Sequence, residues 1–447
     1  ELRLVLSFSF CYDRIMKQTK KIIRLAFPAM MENLLQMLMG VVDNYLVAQV
    51  GLIAVSGVSV ANNIITIYQA IFIALGAAVS SLVAKSLGGK NAQKSLHYQS
   101  ESLLVTFGLS LVLGLVSLGL GKRILTWLGT DAAVTQAGGL YLSIVGGLIV
   151  SLGLMTTLSS FLRALGKPQL PMYISLLTNV LNAVLSAVAV FILHWGIVGV
   201  ACSTVLARLV GTLLLASQLP IKKIIKNIRW TLDRDLIKIA LPAAGERLMM
   251  RAGDVVIVAI IVKFGTEVVA GNAIGEILTQ FNYMPGMGVA TATVILVAHS
   301  LGQKNTKDIK QLVRDSYLIS TIMMLCVGAL VYVFGGHLTY LFTTNQTALT
   351  ASLVVLFYSF VGGPATAGTL IYTAAWQGLG NAKLPFYATT FGMWVIRIIS
   401  GYVLGVSLHL GLTGVWLATV ADNVFRWIFL YILYKKYMNS FQESTIK

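Results

Sequence analysis

Twelve stretches of this chain are long and apolar enough to cross a lipid bilayer. They centre near residues 22–47, 53–84, 102–121, 136–161, 169–193 and 197–217, then 239–262, 268–298, 316–336, 350–376, 385–407 and 413–434. In hydrocarbon every backbone N–H and C=O must find its partner within the protein, so only helices and closed barrels cross a membrane. The runs lack the strict alternation of a barrel strand, each reaches the roughly 20 residues a helical crossing needs, and several exceed it. Composition points the same way. Of 447 residues 57% are hydrophobic and 11% charged, with a mean hydropathy of +0.82, whereas a soluble chain carries about 25% charge. The expected fold is an all-α integral membrane protein with twelve transmembrane helices and no separate soluble domain.

The net charge of +17 is a topology signal. Lys17, Lys20, Lys21 and Arg24, then Lys85, Lys90 and Lys94, Arg163 and Lys167 fall on one side. Lys222, Lys223, Lys226, Arg229 and Arg234, the cluster Lys304 to Arg314, Lys383, Lys435 and Lys436 join them. The other side carries Lys122, Arg123 and Lys263. Basic loops stay inside, which predicts cytoplasmic termini, a plasma (inner) membrane location and no nucleic-acid partner. Residues 1–15 read as a mis-called start or an interfacial helix, within an N-terminal segment 1–21. The basic stretch 218–236 reads as a linker on the inner leaflet, between an N-terminal lobe at 22–217 and a C-terminal lobe at 237–436. A tail follows at 437–447.

The two lobes repeat one unit. Displaced by 214 positions, Pro28 falls on Pro242, Glu32 on Glu246, Gly51 on Gly265 and Gly57 on Gly271. The segment AKSLGGKN at 84–91 falls on AHSLGQKN at 298–305, and ALGKPQLPMY at 164–173 meets GLGNAKLPFY at 378–387. A displacement of 215 then aligns LHWGIVGV with LHLGLTGV and Thr204 with Thr419. Six spans per lobe bring both lobes in from the same side, so the repeat is parallel. Its expected pseudo-two-fold lies along the membrane normal, an arrangement that suits substrate binding between halves.

An ionisable side chain at membrane depth costs at least ~2.5 kcal/mol and asks for a reason. Asp43 in the first span has no basic neighbour in sequence, and its repeat counterpart is Ile257. It binds a proton or cation, or makes a structural hydrogen bond. Asn179, Asn182 and Ser186 in the fifth span, with Thr204 in the sixth, are neutral oxygen carriers that suit Na⁺ or a solvated proton, or serve helix packing. Glu32 and Gln36 share a face with Asp43. Asn62, Thr66 and Gln69 in the second span, and Glu276, Gln280 and Tyr283 in its repeat, form polar stripes that line a wet cavity or bond helices together. Glu246, Arg247, Arg251 and Asp254 occupy the seventh span; Arg251 with Asp254, and Asp422 with Arg426 in the twelfth, have the spacing of helical ion pairs.

Cys11, Cys202 and Cys326 are too dispersed for a disulfide framework, and the five histidines show no metal-ligand spacing. No phosphate-binding loop and no hydrolase motif occurs. An enzyme is not expected, nor a cofactor, nor a metal beyond Na⁺ at Asp43.

The first span and its loop, FPAMMENLLQMLMGVVDNYLVAQVGLIAVSGVSVANN, resemble the multidrug and toxic compound extrusion (MATE) family. So do the LRALGKPQLP and WQGLGNAKLP loops and the LNAVLS and GIVGVACST segments. The resemblance covers nearly the whole chain after Met16. It implies secondary active export of bulky, often cationic organic compounds, by antiport with H⁺ or Na⁺ and alternating access. It places the ion-coupling residues at Asp43, Asn182 and Thr204, with Ser186 where the family often has an aspartate. Glu246 is the nearest match to a seventh-span glutamate used by some members. A monomer is expected, with small drug-like molecules and the bilayer as partners. The alternative is a flippase for a lipid or lipid-linked oligosaccharide, kept open by Arg247, Arg251 and Arg397.

Overall fold

A computed structural model describes the backbone of residues 2–229 and 233–446, and the side chains of 18–229 and 233–441. The side chains of residues 1–15, Cys11 among them, therefore lie outside the described residues. The described chain contains helices and no strand. It is an all-α membrane protein, and its spans are numbered here α1 to α12. The first six are α1 Leu2–Ala48, α2 Leu52–Gly88, α3 Ala92–Trp127, α4 Ala132–Gly146 with Val150–Ala164, α5 Gln169–Ile192 and α6 Gly196–Ser217. The rest are α7 Arg234–Ile261, α8 Thr266–Gly302, α9 Thr306–Val333, α10 Gln346–Val361 with Gly363–Gly378, α11 Lys383–Ser407 and α12 Gly411–Ile446. Eleven qualify as spans by length and apolarity, counting the bent α4 and α10 once each. The twelfth, α7, falls short because Glu246, Arg247, Arg251 and Asp254 interrupt its apolar run. It is thus the span on which charge most needs partners.

The helices are packed inside out relative to a soluble protein. On α3 the buried face carries Ser102, Thr106, Ser110, Gly114, Ser117 and Gly121, while Leu111, Val112, Leu115 and Leu118 are exposed. α9 does the same, burying Ser316, Ser320 and Gly328 and exposing Leu318, Ile322 and Leu330. Lipid offers no hydrophobic drive for Leu to leave it, so small residues that let backbones approach take the interface. Such contacts are close. A Cβ at Gly57 on α2 would meet the backbone N of Gly138 on α4 at 2.6 Å.

The backbone carries the duplication seen in the sequence. Among the described residues four non-glycines have positive φ, and they form two repeat pairs: Lys90 (53°) with Lys304 (58°), and His194 (54°) with His409 (55°). The left-handed conformation costs an L-residue about 1–2 kcal/mol, so its recurrence at equivalent turns marks an inherited fold. Asn91 and Asn305 cap α3 and α9 alike, accepting from the backbone N–H three residues on. α4 and α10 bend by 45° and 56°. In α10 the bend falls where Gly362 and Gly363 precede Pro364, which lacks the N–H to continue the ladder.

The chain divides into two compact units. One comprises Met31–Leu87 and Asn91–Ala240; the other comprises Glu1–Met30, Gly88–Lys90 and Leu241–Lys447. Both α1 and α7 pass from one unit to the other close to a proline, Pro28 and Pro242, where each helix lacks one backbone hydrogen bond. The core of the first unit gathers Phe72, Tyr141, Leu142 and Val205. The second has a core around Trp376, Tyr372 and Tyr434, which also takes in Ile22 and Ala26.

Candidate functional site

In the first unit α5 delivers an amide to the α1 carboxylate. Asn182 Nδ2 donates to Asp43 Oδ1 at 3.1 Å and to Oδ2 at 3.3 Å. Ser186, one turn on, donates to Asn182 Oδ1 at 3.3 Å, which orients the amide with its N–H₂ toward the acid. Thr204 lies on α6, its hydroxyl donating to the Val200 carbonyl of its own helix at 2.9 Å. Asn182, Ser186 and Thr204 are buried and Asp43 is half-buried.

Two residues complete this cluster that the sequence analysis did not single out. The buried phenol of Tyr141 on α4 lies beside Thr204, and Arg208, one turn beyond Thr204 on α6, acts electrostatically on both Asp43 and Tyr141. Among the described residues Arg208 forms no ion pair within 4.0 Å, and its Nη1 is buried without a hydrogen-bond partner. Asn179 Nδ2, one turn before Asn182, is likewise buried and unpartnered. A carboxylate held by a neutral amide, with a guanidinium near but not bound, keeps lone pairs open to an incoming cation.

The other acid of α1 is engaged differently. Glu32, one turn after Pro28, is buried and accepts from Arg163 Nη1 at 2.6 Å; Arg163 Nη2 also donates to Ser160 at 3.2 Å. Gln36 is exposed. On α2, Thr66 donates to the Asn62 carbonyl at 2.8 Å, and Asn62, Thr66 and Gln69 are all half-buried.

In the second unit Glu246 sits at the repeat position of Glu32, but Gln377 stands where Arg163 would be. Gln377 Nε2 donates to Glu246 Oε2 at 3.4 Å and Thr389 Oγ1 donates to Oε1 at 3.2 Å. Glu276 on α8 accepts from Asn272 at 3.0 Å, and the indole of Trp416 donates to Asn272 Oδ1 at 2.9 Å. Gln280 is exposed and Tyr283 half-buried. Arg397, which falls on Asn182 at the displacement of 215 that aligns Thr204 with Thr419, donates to Thr419 at 3.0 Å and lies 3.6 Å from Asp254, which is also 4.0 Å from Arg251. Asp422 and Arg426 form a buried pair at 2.8 Å. The helical pairs expected from spacing are both present.

Comparison with known proteins bears on all of this. The profile of the MatE family matches twice, over residues 28–188 and 242–403. A probable multidrug resistance protein NorM from Thermotoga maritima is 27% identical over 91% of this chain and 90% of its own. The multidrug export protein MepA of Staphylococcus aureus is 23% identical over 93% of each. A crystal structure of MATE in complex with MaL6 superposes with a TM-score of 0.88 at 21% identity, covering 95% of this chain and 97% of that one.

Proposed function

The chain belongs to the MatE family, and on that premise we propose that it exports bulky, often cationic organic compounds across the plasma membrane in exchange for H⁺ or Na⁺. The observation that carries the reading is the contact between Asp43 and Asn182. The acid sits at membrane depth with a neutral donor on both oxygens, and it has no counterpart in the second unit. A proton or Na⁺ arriving at Asp43 cancels its charge, weakens the two bonds from Asn182 and changes the field felt by Arg208. Spans α1, α5 and α6 then repack. Coupling requires the ion to bind with different affinity in the inward-open and outward-open states, and Pro28 and Pro242 supply weak points in α1 and α7 for such a change. The basic loops support a topology with both termini in the cytoplasm. Each chain carries its own acid, so a monomer suffices.

A second reading rests on Arg251, whose side chain is 55% exposed and only loosely paired with Asp254: an exposed guanidinium suits the phosphate of a lipid-linked substrate. Ethidium accumulation in cells separates the readings. Antiport predicts low accumulation with the parent and high accumulation with Asp43→Asn. If the variant exports as well as the parent, Asp43 is not the coupling site. If neither moves any drug while cell-wall precursor transport depends on the protein, the flippase reading stands instead.

A further inference from the structure

A second ligand cluster lies in the first unit, well apart from Asp43 in sequence and outside the apolar stretch of α3. His97 and Glu101 are spaced i, i+4 near the start of α3 and therefore share a face. Asp233, from the segment that leads into α7, meets them. His97 Nε2 lies 3.7 Å from Glu101 Oε2 and 3.8 Å from Asp233 Oδ2, and all three ligand atoms fall within 4.8 Å of one another. We propose that these three side chains form a divalent transition-metal site that fastens the segment before α7 to α3.

The strongest support is Glu101. Its side chain is 1% exposed, and Oε2 is turned to the His97 ring with no hydrogen-bond partner. A buried carboxylate oxygen left unsatisfied is costly, and a bound cation would satisfy it. The other oxygen is fixed by the backbone N–H of Asp233, and Asp233 Oδ1 accepts from the backbone N of Asp235 at 2.9 Å. Each carboxylate therefore has one oxygen anchored and one directed at the shared point. The spacing is also close to that of a site. Ligands about 2.0–2.2 Å from a tetrahedral ion stand roughly 3.3–3.6 Å apart, so the two edges to His97, at 3.7 and 3.8 Å, need to close by a few tenths of an ångström, and the Glu101–Asp233 edge lies within 4.8 Å. One imidazole nitrogen with two carboxylate oxygens suits Zn²⁺ or Mn²⁺. Nearby cations do not fill the place. Lys94 lies over the Tyr98 ring, 5.6 Å from its centroid, and the Tyr98 hydroxyl donates to Asp235 at 3.3 Å. Among the described residues neither Lys94 nor Arg229 comes within 4.0 Å of a carboxylate of the cluster.

The test uses the full chain in detergent, purified without a polyhistidine tag and stripped with a chelator. Zn²⁺ and, separately, Mn²⁺ are titrated by calorimetry, and retained metal is counted by elemental analysis. The expected result is saturable binding of about one ion per chain, with a higher Tm in the presence of the ion. His97→Gln and Glu101→Gln should each weaken binding about tenfold or more and abolish the Tm rise. His97 is 30% exposed, so its variant decides the matter even if the buried Glu101→Gln does not fold. Absence of saturable binding in the parent overturns the proposal. So does equal binding by His97→Gln, which would make the cluster a hydrogen-bonded latch alone.

Discussion

Set side by side, the two halves keep one backbone and carry different charges. Near the paired prolines, Glu32 is locked to Arg163, whereas Glu246 accepts from the neutral donors Gln377 and Thr389 and feels Arg247 and Arg426 only through their field. Deeper in, Asp43 with Asn182 and Thr204 in one half becomes Ile257 with Arg397 and Thr419 in the other. The fold tolerates a change of sign at an equivalent place as long as each new charge finds a partner. Asn182 can only support a carboxylate brought by α1; Arg397 brings its own charge and takes Asp254, three residues from Ile257. Two copies of a bundle thereby become two different devices, one with an acid whose lone pairs are open and one with a self-compensated network.

The largest expected effect breaks this comparison at its sharpest point. Asp43→Asn should raise ethidium accumulation to the level of cells lacking the transporter. Adding Ile257→Asp should not restore export, because residue 257 packs among Val355, Leu412 and Val415 and has a guanidinium network rather than an amide beside it. Recovery by the double variant would show the halves to be interchangeable. Next in size is Asn182→Arg, which gives the N-terminal half the residue of the C-terminal one. A guanidinium there should pair with Asp43 and cut the initial rate of dye efflux at least about tenfold, a loss of roughly 1.4 kcal/mol or more. Unchanged efflux would mean that the amide has no part in coupling.

The paired glutamates give a stability version of the contrast. Arg163→Ala leaves Glu32 buried with its charge uncompensated, and removing one partner of such a pair costs about 3–5 kcal/mol. Gln377→Ala removes the long hydrogen bond to Glu246 and leaves Thr389 in place, so about 1–3 kcal/mol is expected. Thermal unfolding of the purified variants should place Arg163→Ala clearly lower. Equal Tm values would mean that the ion pair contributes no more than the amide.

Much of this was legible in the sequence, for identifiable reasons. Spans, repeat and helical ion pairs are all local or register-preserving patterns: Asp422 and Arg426 are one turn apart, and Asn91 and Asn305 sit in nearly identical octapeptides. Arg208 and Tyr141 were harder, since only the folded bundle brings α4 and α6 to α1. A signal for Arg208 existed nonetheless. It is a lone cation inside the apolar run of α6, one turn after Thr204, and the cost that draws attention to Asp43 applies to it equally. For Tyr141 there was none, because a tyrosine in a span is unremarkable until its neighbours are known. The cluster of His97, Glu101 and Asp233 was hidden by the distance in sequence between α3 and the segment before α7.

The smallest effect tests what the halves share. Asn91 and Asn305 accept from the backbone N–H of Lys94 and Asp308 at 2.8 and 3.3 Å, each satisfying one of the donors that a helix start leaves free. Replacing Asn91 by alanine in the parent, or Asn305 in an Asp308→Ala background that removes its added bond to that carboxylate, should cost about 0.5–2 kcal/mol, and the two losses should agree to within ~0.5 kcal/mol when measured as shifts in Tm. The caps lie in turns that retain the same left-handed lysine, Lys90 or Lys304, and take no part in either charge network. A large difference between them would place the divergence of the halves in the backbone itself. Equal losses would confine it to the side chains that carry charge.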